Sequence, residues 1–468
     1  MKIEQIYTGC LAHGAYYIES NGEAAIVDPL RESKPYIERA EKDGAKIKYI
    51  LETHFHADFV SGHLDLAKKT GAEIVFGPTA KPDYDILLAE DGQELILGNV
   101  KIKVLHTPGH TMESSTFLLI DENGKDHAMF SGDTLFLGDV GRPDLAVKTD
   151  LTREDLAAHL YDSLYNKILP LADDVIVYPG HGAGSACGKN MSSDTVDTLG
   201  NQKKTNYALQ PMSKEEFVAK VTDGLMPPPQ YFGKNAMMNK SGYDSIDNVL
   251  ERGSRALSVE DFEAAANAEE ALIIDTRSPQ EFAQGFIPNS IFFGIDGGFA
   301  PWVGALITDL KQPILLVAEA GREEEIITRL ARVGYDNTIG YLEGGFQAWK
   351  DAGKEVDSVL SVPADSLVED IKNSKVNLVD VRKSSEHGSE HVLGSQNFPL
   401  DYINDKMGEL DKNQNYHIHC AGGYRSMITC SILKSRGFEN ITDIQGGFKA
   451  LKEAGAPKSD YVCPSTML

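Results

Sequence analysis

The 468-residue sequence is poor in cysteine, with Cys10, Cys187, Cys420, Cys430 and Cys463 alone. An odd and widely scattered set argues against a disulfide framework, so any special cysteine is expected to act as a thiol. It lacks an apolar run of the length a membrane span needs, which excludes a spanning protein and a membrane partner. It also lacks a basic run. Acidic residues outnumber basic ones by 70 to 45, and a net charge of -25 repels phosphate backbones, so nucleic acid is not an expected partner. The opening MKIEQIYTGCLAHGAYYIES has no basic start followed by an apolar stretch and alternates like a strand. No secretory leader is expected there, and the protein reads as cytoplasmic.

What is present points to several α/β domains. At roughly 150 residues per domain, a chain of this length should hold about three. From Lys2 to His181, β-rich runs such as KIKYILET, AEIVFGP, VKIKVLHTPGH, DHAMFSGD and DVIVYPGH alternate with helical ones, and most run into histidine, aspartate, glycine or proline. Strand ends expose chemistry in α/β folds, because the strand fixes a side chain while the loop opens it to a ligand. Between Ser192 and Ser254 the pattern turns polar, with Met226-Pro227-Pro228-Pro229 and a loop-like YFGKNAMMNKSGY, which reads as a helix followed by a linker. Beyond it the chain repeats itself: Leu272-Ile273-Ile274-Asp275-Thr276-Arg277 answers Leu378-Val379-Asp380-Val381-Arg382, and EGGFQAWKDAG answers QGGFKALKEAG. The repeat distance of 102 residues, Gly344 to Gly446, leaves each copy its own core. The expected domains are 1–235, 236–356 and 357–468.

Four turn segments of the first domain offer histidine or aspartate in order: Thr53-His54-Phe55-His56-Ala57-Asp58, Thr107-Pro108-Gly109-His110, Ser131-Gly132-Asp133 and Pro179-Gly180-His181. Imidazoles and carboxylates on separate strand ends can present open metal coordination positions. The ordered set resembles the metallo-β-lactamase superfamily, which implies an αββα sandwich. Most members carry a further histidine where this chain has Phe59, so a second metal loses a ligand; His63 is the alternative replacement if a helix begins there. GDTLFLGDVGRPDL, with THFHAD and TPGHTMES, is most similar to the persulfide dioxygenase branch. That resemblance implies one Fe(2+) per chain held by His54, His110 and Asp133, a facial triad suited to non-haem iron and O2. His56, Asp58 and His181 would then be pocket groups around it, and Arg142 either recognises an anionic substrate tail or braces its loop. The competing reading is a zinc thioester hydrolase of the glyoxalase II kind.

Near the end, Tyr416-His417-Ile418-His419 runs into Cys420-Ala421-Gly422-Gly423-Tyr424-Arg425-Ser426 and then a helix-like stretch. Strand, loop and helix together aim backbone N–H groups at the sulfur, a cradle that activates thiols and binds anions. Loop and flanks resemble the rhodanese sulfurtransferases, parallel-sheet α/β domains, which implies that Cys420 carries a persulfide and Arg425 stabilises an anion at the loop. The first copy has Ala318-Glu319-Ala320-Gly321-Arg322-Glu323 instead, without a thiol, and reads as a degenerate rhodanese with a structural or docking role. Cys187, in a glycine-rich loop after His181, is either a sulfur-handling thiol or a plain loop thiol. The implied activity is oxidation of a low-molecular-weight thiol persulfide by O2 to sulfite and thiol, coupled to sulfur transfer giving thiosulfate, or in the reverse order with thiosulfate as the donor that loads a thiol for oxidation. The superfamily resemblance also implies a homo-oligomer, dimer or tetramer.

Overall fold

A computed structural model describes residues 1–146 and 151–463; residues 464–468, which the sequence reading assigns to the last domain, lie outside them. Met1–Asn248 together with Leu330–Gly334 form one compact unit, and Val249–Arg329 with the chain from Tyr335 onward form another.

The first unit is built on two six-stranded sheets. One contains Lys2–Thr8 (β1), His13–Ser20 (β2), Glu23–Val27 (β3), Lys46–Glu52 (β4), Glu73–Phe76 (β5) and Leu87–Leu88 (β6), in that spatial order. The other contains Glu94–Leu97 (β7), Val100–His106 (β8), Ser115–Ile120 (β9), Asp126–Gly132 (β10), Ile176–Pro179 (β11) and Asp197–Thr198 (β12), also ordered sequentially across the sheet. Alternation along each strand makes the layers, since successive side chains point to opposite faces. Ala25 and Val27 of β3 meet Phe117 and Leu119 of β9 and Phe130 of β10 between the sheets. Ala24 and Ile26 instead pack under Tyr36 and Ala40 of the helix Lys34–Asp43. Leu118 and Met129 pack under Leu160 of the helix Arg153–Ser163. Helix, sheet, sheet, helix is the expected sandwich.

The interval expected to hold one helix and a linker holds helices at Leu199–Thr205, Lys214–Thr222 and Phe232–Ser241. The last corrects the loop expected for YFGKNAMMNKSGY. Its inward face is polar, which defeats apolar periodicity as a signal. Asn239 Nδ2 donates to the carbonyls of His56 and Phe59 at 2.7 Å each, and Asn239 Oδ1 accepts from Ser61 N at 2.9 Å. Asp65 accepts from Ser245 Oγ and Ile246 N. These bonds carry the first unit past the expected boundary at 235 to Asn248.

The second unit holds two five-stranded, all-parallel sheets. The first copy contributes Ala256–Leu257 (β13), Leu272–Asp275 (β14), Ile291–Phe292 (β15), Ile314–Val317 (β16) and Thr338–Leu342 (β17). The second contributes Leu360–Pro363 (β18), Leu378–Asp380 (β19), Gln396–Asn397 (β20), Tyr416–His419 (β21) and Ile441–Gln445 (β22). The orders β13-β17-β16-β14-β15 and β18-β22-β21-β19-β20 are the same topology twice, as the sequence repeat predicts. No helix among the described residues is long and apolar enough to cross a membrane.

Because Asn239 serves three backbone groups beside the site, Asn239→Ala is expected to lower unfolding stability by on the order of 3 kcal/mol, the cost of stranding buried donors and acceptors. Urea unfolding of the full chain, with metal content measured alongside, checks this; an unchanged midpoint would show that water replaces the amide.

Candidate metal centre and cysteine loop

Parallel pairing brings the site together. Asp28 follows β3 and His54 follows the neighbouring β4, while Asp133 follows β10 and His181 follows the neighbouring β11. Thr53 Oγ1 donates to Asp28 Oδ2 at 2.8 Å, so in its 3.0 Å contact with His54 Nδ1 the ring is the donor. His110 Nδ1 lies 2.8 Å from the carbonyl of Arg142, and His181 Nδ1 lies 3.2 Å from that of Ala12. A carbonyl only accepts, so each Nδ1 carries the proton and each Nε2 keeps its lone pair. Those lone pairs converge on Asp133. His54 Nε2 and His110 Nε2 stand 4.0 and 3.5 Å from Asp133 Oδ2, and His181 Nε2 stands 3.6 Å from Asp133 Oδ1. Among the described residues no N–H or O–H donates to either oxygen of Asp133, the Cys187 thiol being the donor beside it, and all four side chains are buried.

This donor set fits a cation. Burial holds His110 and His181 down to about 4, with the His54 imidazole also well below its usual value, so the rings are neutral ligands near neutral pH. Burial, with the Asp58 charge adding to it, pushes the Asp133 carboxyl well up. A buried carboxylate without a counter-charge is costly, and an ion removes that cost. The donor atoms of His54, His110 and Asp133 lie within 4.8 Å of one another.

The other expected residues fall around this triad. Asp58 Oδ2 is 3.4 Å from His181 Nε2. His56 turns Nε2 toward Asp28 Oδ1 at 3.1 Å and Glu52 Oε2 at 3.7 Å. Phe59 lies fully buried, its ring 4.2 Å from that of His13 and 4.3 Å from that of His56, so an apolar face stands at this position. Even so, His56, Asp58 and His181 form a second group of three donors within 4.8 Å. His63 does begin a helix, but it faces Glu52, Tyr84 and Tyr243 and joins none of these donor groups. Cys187 is buried, its sulfur grouped with donor atoms of Asp133 and His181, and burial raises its thiol well above the ordinary value. Arg142 takes the bracing role. Its guanidinium binds Asp144 twice at 2.6 Å and also reaches the carbonyls of Ala186 and Met226, so it is not poised for a substrate anion.

Sequence reasoning missed His13, Asp28 and Glu52. His13 packs on Phe59 and donates from Nε2 to the Asp28 carbonyl at 2.8 Å. Asp28 adopts φ 47°, a left-handed conformation uncommon outside glycine, and accepts from both Thr53 N and Thr53 Oγ1 at 2.8 Å. The Asp-Pro at the end of β3 was its one local signal.

In the second unit Cys420 follows β21 and is buried, with Gly423 N donating to its sulfur at 3.1 Å. Gly423, at φ 104°, caps the helix Tyr424–Ser435, whose N-terminus abuts the loop. Arg425 pairs bidentately with Glu386 at 2.6 and 2.9 Å. The same guanidinium interacts electrostatically with Cys420, beside the backbone and the helix end. In the first copy Ala318 follows β16, and Arg322 binds Asp296 and Glu325.

Fold and donor set define a metal-binding enzyme class joined to sulfurtransferase-type domains. The metallo-beta-lactamase superfamily model matches residues 8–181, and the rhodanese-like domain model matches 258–352 and 363–454. Human persulfide dioxygenase ETHE1, mitochondrial, is 30% identical over 211 residues, covering 44% of this chain and 74% of that protein. Hydroxyacylglutathione hydrolase GloC of Haemophilus influenzae is 33% identical over 193 residues, covering 36% of this chain and 85% of that protein. A solved metallo-beta-lactamase from Staphylococcus aureus subsp. aureus COL is 31% identical, with a TM-score of 0.64 over 73% of this chain and 98% of that one. The chain belongs to the metallo-β-lactamase superfamily, as a fusion of that domain, with relatives among the ETHE1 persulfide dioxygenases, to two rhodanese-like domains.

Behind the cysteine loop, Asp443 accepts from Ser426 Oγ at 2.7 Å and Ser361 Oγ at 2.8 Å, and burial pushes its carboxyl up to about 6. An unfolded aspartate titrates near 3.9, at roughly the reference value. Between those two values the folded state holds the extra proton, so this stabilisation is full below about pH 4 and is lost as pH rises through 6. Asp443→Asn is expected to flatten that slope and to be the more stable form at pH 7.5 by about 2 kcal/mol. Thermal midpoints of both forms at pH 5 and 7.5 check it; parallel shifts at both values would refute the assignment.

Proposed function

We propose that the first unit is a non-haem iron persulfide dioxygenase that converts a low-molecular-weight thiol persulfide, O2 and water to thiol and sulfite, and that Cys420 couples this to thiosulfate formation. The observation that carries the reading is the two-histidine, one-carboxylate set of His54, His110 and Asp133, whose backbone and hydroxyl partners leave Nε2 lone pairs facing the carboxylate. Those three residues would hold one Fe(2+). Ferrous iron supplies redox chemistry toward O2 together with open coordination positions. Around it, Asp58 and His181 would hold and pass the persulfide proton between Oδ2 and Nε2, 3.4 Å apart. Phe59 and Phe136, fully buried, would keep bulk water out. Cys187, grouped with Asp133 and His181, would handle sulfur beside the centre.

In the second step the Cys420 thiolate attacks the outer sulfur of a second persulfide, breaking its S–S bond and releasing the thiolate carrier. Sulfite then attacks the sulfur held on Cys420, which leaves as thiosulfate and returns the cysteine thiolate. The Gly423 N–H, 3.1 Å from Sγ, and the N-terminus of the helix Tyr424–Ser435 would stabilise the thiolate at both stages. A zinc thioester hydrolase is the second reading, favoured by the three donors of His56, Asp58 and His181 and by the GloC relative.

Metal analysis and O2 uptake on anaerobically purified chain separate the two. One iron per chain with persulfide-dependent O2 uptake is expected; two zincs with thioester hydrolysis and no O2 uptake would overturn the dioxygenase. Phe59→His should raise metal content toward two per chain. Cys420→Ser is expected to keep forming sulfite and to lose enzymatic thiosulfate formation, and thiosulfate made at the normal rate would remove Cys420 from the reaction.

A further inference from the structure

The two copies of the second unit can be aligned by hydrogen bonding alone. Val381 N donates to the carbonyl of His419 just as Thr276 N donates to that of Val317, which sets Cys420 against Ala318. Gly423 and Gly321 then coincide, both left-handed at φ 104° and 86°, and Tyr424 coincides with Arg322.

In the degenerate copy, Arg322 does not face a sulfur. It holds both oxygens of Asp296 at 3.0 and 2.8 Å, within a segment that is tied down from other sides as well. Arg329 Nη1 donates to the Ile295 carbonyl at 2.6 Å, Ile295 N to the Thr276 carbonyl at 3.0 Å and Phe293 N to the Asp275 carbonyl at 2.9 Å. Onto this fixed segment the cysteine loop docks. Tyr424 Oη donates to the Gly294 carbonyl at 2.7 Å, and its ring lies so close over Gly297 that a Cβ there would come within 2.2 Å of it. The Phe292 ring meets the Tyr424 ring edge to face at 5.6 Å. Two turns along the same helix, Ser431 Oγ accepts from Phe292 N at 3.0 Å, so the helix is pinned twice to one neighbour.

We infer that the degenerate copy positions the cysteine loop: Arg322 and Asp296 set the segment that receives Tyr424, and Tyr424 sets the loop that carries Cys420. The inference rests on the reading of Cys420 as sulfur carrier for its purpose, though not for its geometry. Tyr424 directly follows Gly423, whose N–H reaches the sulfur, and opens the helix whose N-terminus abuts it. A displacement of Tyr424 therefore moves the donors of the cradle. Tyr424 and Arg322 are positioning residues and touch no reacting atom. This gives the copy without a thiol a purpose that its own loop cannot supply.

The test uses the full chain and three variants. Tyr424→Phe removes the bond to Gly294 and keeps the ring, Gly297→Ala displaces the ring from the neighbouring copy, and Arg322→Ala releases the receiving segment. Two rates are read: kcat and KM for sulfur transfer from glutathione persulfide to sulfite, and carbamidomethylation of Cys420 followed by peptide mass spectrometry across pH. Each variant is expected to lower kcat about five- to tenfold, the scale of one hydrogen bond, with KM little changed. Cys420 alkylation should slow by a similar factor, with its pH profile displaced upward, while persulfide-dependent O2 uptake holds. Tyr424→Phe with Gly297→Ala should be no worse than the more severe single variant, because both act through one contact. Wild-type transfer and alkylation in Tyr424→Phe and Arg322→Ala would overturn the inference, as would effects that simply add. Slowed alkylation alongside normal transfer by Cys420→Ser would sink the carrier reading and support the positioning.

Discussion

The site in the first unit depends on one repeated interaction, a ring Nδ1–H given to an oxygen behind it so that the Nε2 lone pair faces Asp133. The three acceptors, Thr53 Oγ1 and the carbonyls of Arg142 and Ala12, come from three separate loops. A histidine free to choose its tautomer would present a donor as often as a lone pair, and a carboxylate surrounded by donors would satisfy itself without a cation. Fixing the tautomers is what leaves Asp133 without an imidazole donor in a buried pocket. The loops must therefore crowd the carboxylate, and glycine is where they do so: a Cβ on Gly141 would lie 1.9 Å from the Asp133 carbonyl, and one on Gly180 would lie 2.7 Å from Asp133 Oδ1. The glycines beside these side chains are spatial requirements of the pocket.

This explains what could be read in the sequence. His54, His110, Asp133 and His181 were legible because each ends a strand and is flanked by turn residues, so a local pattern marks it. The doubled parallel domain was legible for the same reason, as strand and Gly-Gly-Phe signals recur at a fixed distance. What serves the ligands from elsewhere left no such mark. His13 and Asp28 meet His56 and Thr53 across strands that the sequence does not pair, and the Asn239 helix supports the His56 loop from 183 residues away. The two arginines show the same limit: the carboxylate each one pairs with, Asp144 for Arg142 and Glu386 for Arg425, is seen only in the fold.

The two rhodanese-like copies separate scaffold from chemistry. Each keeps a buried aspartate bound by an arginine two residues on, Asp275 with Arg277 and Asp380 with Arg382. In each, that arginine lies 4.1 Å over the phenylalanine of the Gly-Gly-Phe segment, Phe346 or Phe448. A desolvated ion pair stacked on a ring is sensitive to geometry, so its presence in both copies means that both cores fold to the same frame. The loop after the central strand differs in its chemistry, with Cys420 in one copy corresponding to Ala318 in the other.

That loop depends on its neighbours for its shape. A loop that turns a backbone N–H to a sulfur has few side chains of its own to hold its shape, since Ala421, Gly422 and Gly423 contribute almost none. Its conformation must be set by what it leans on. Within its own domain, Phe448 N and Lys449 N donate to the carbonyls of Cys420 and Ala421, fixing the near side of the loop. The far side passes through Tyr424, and there the support comes from the neighbouring copy. The neighbour therefore supplies backbone and ring contacts that the loop lacks within its own domain: the Gly294 carbonyl, the close approach at Gly297 and the Phe292 ring.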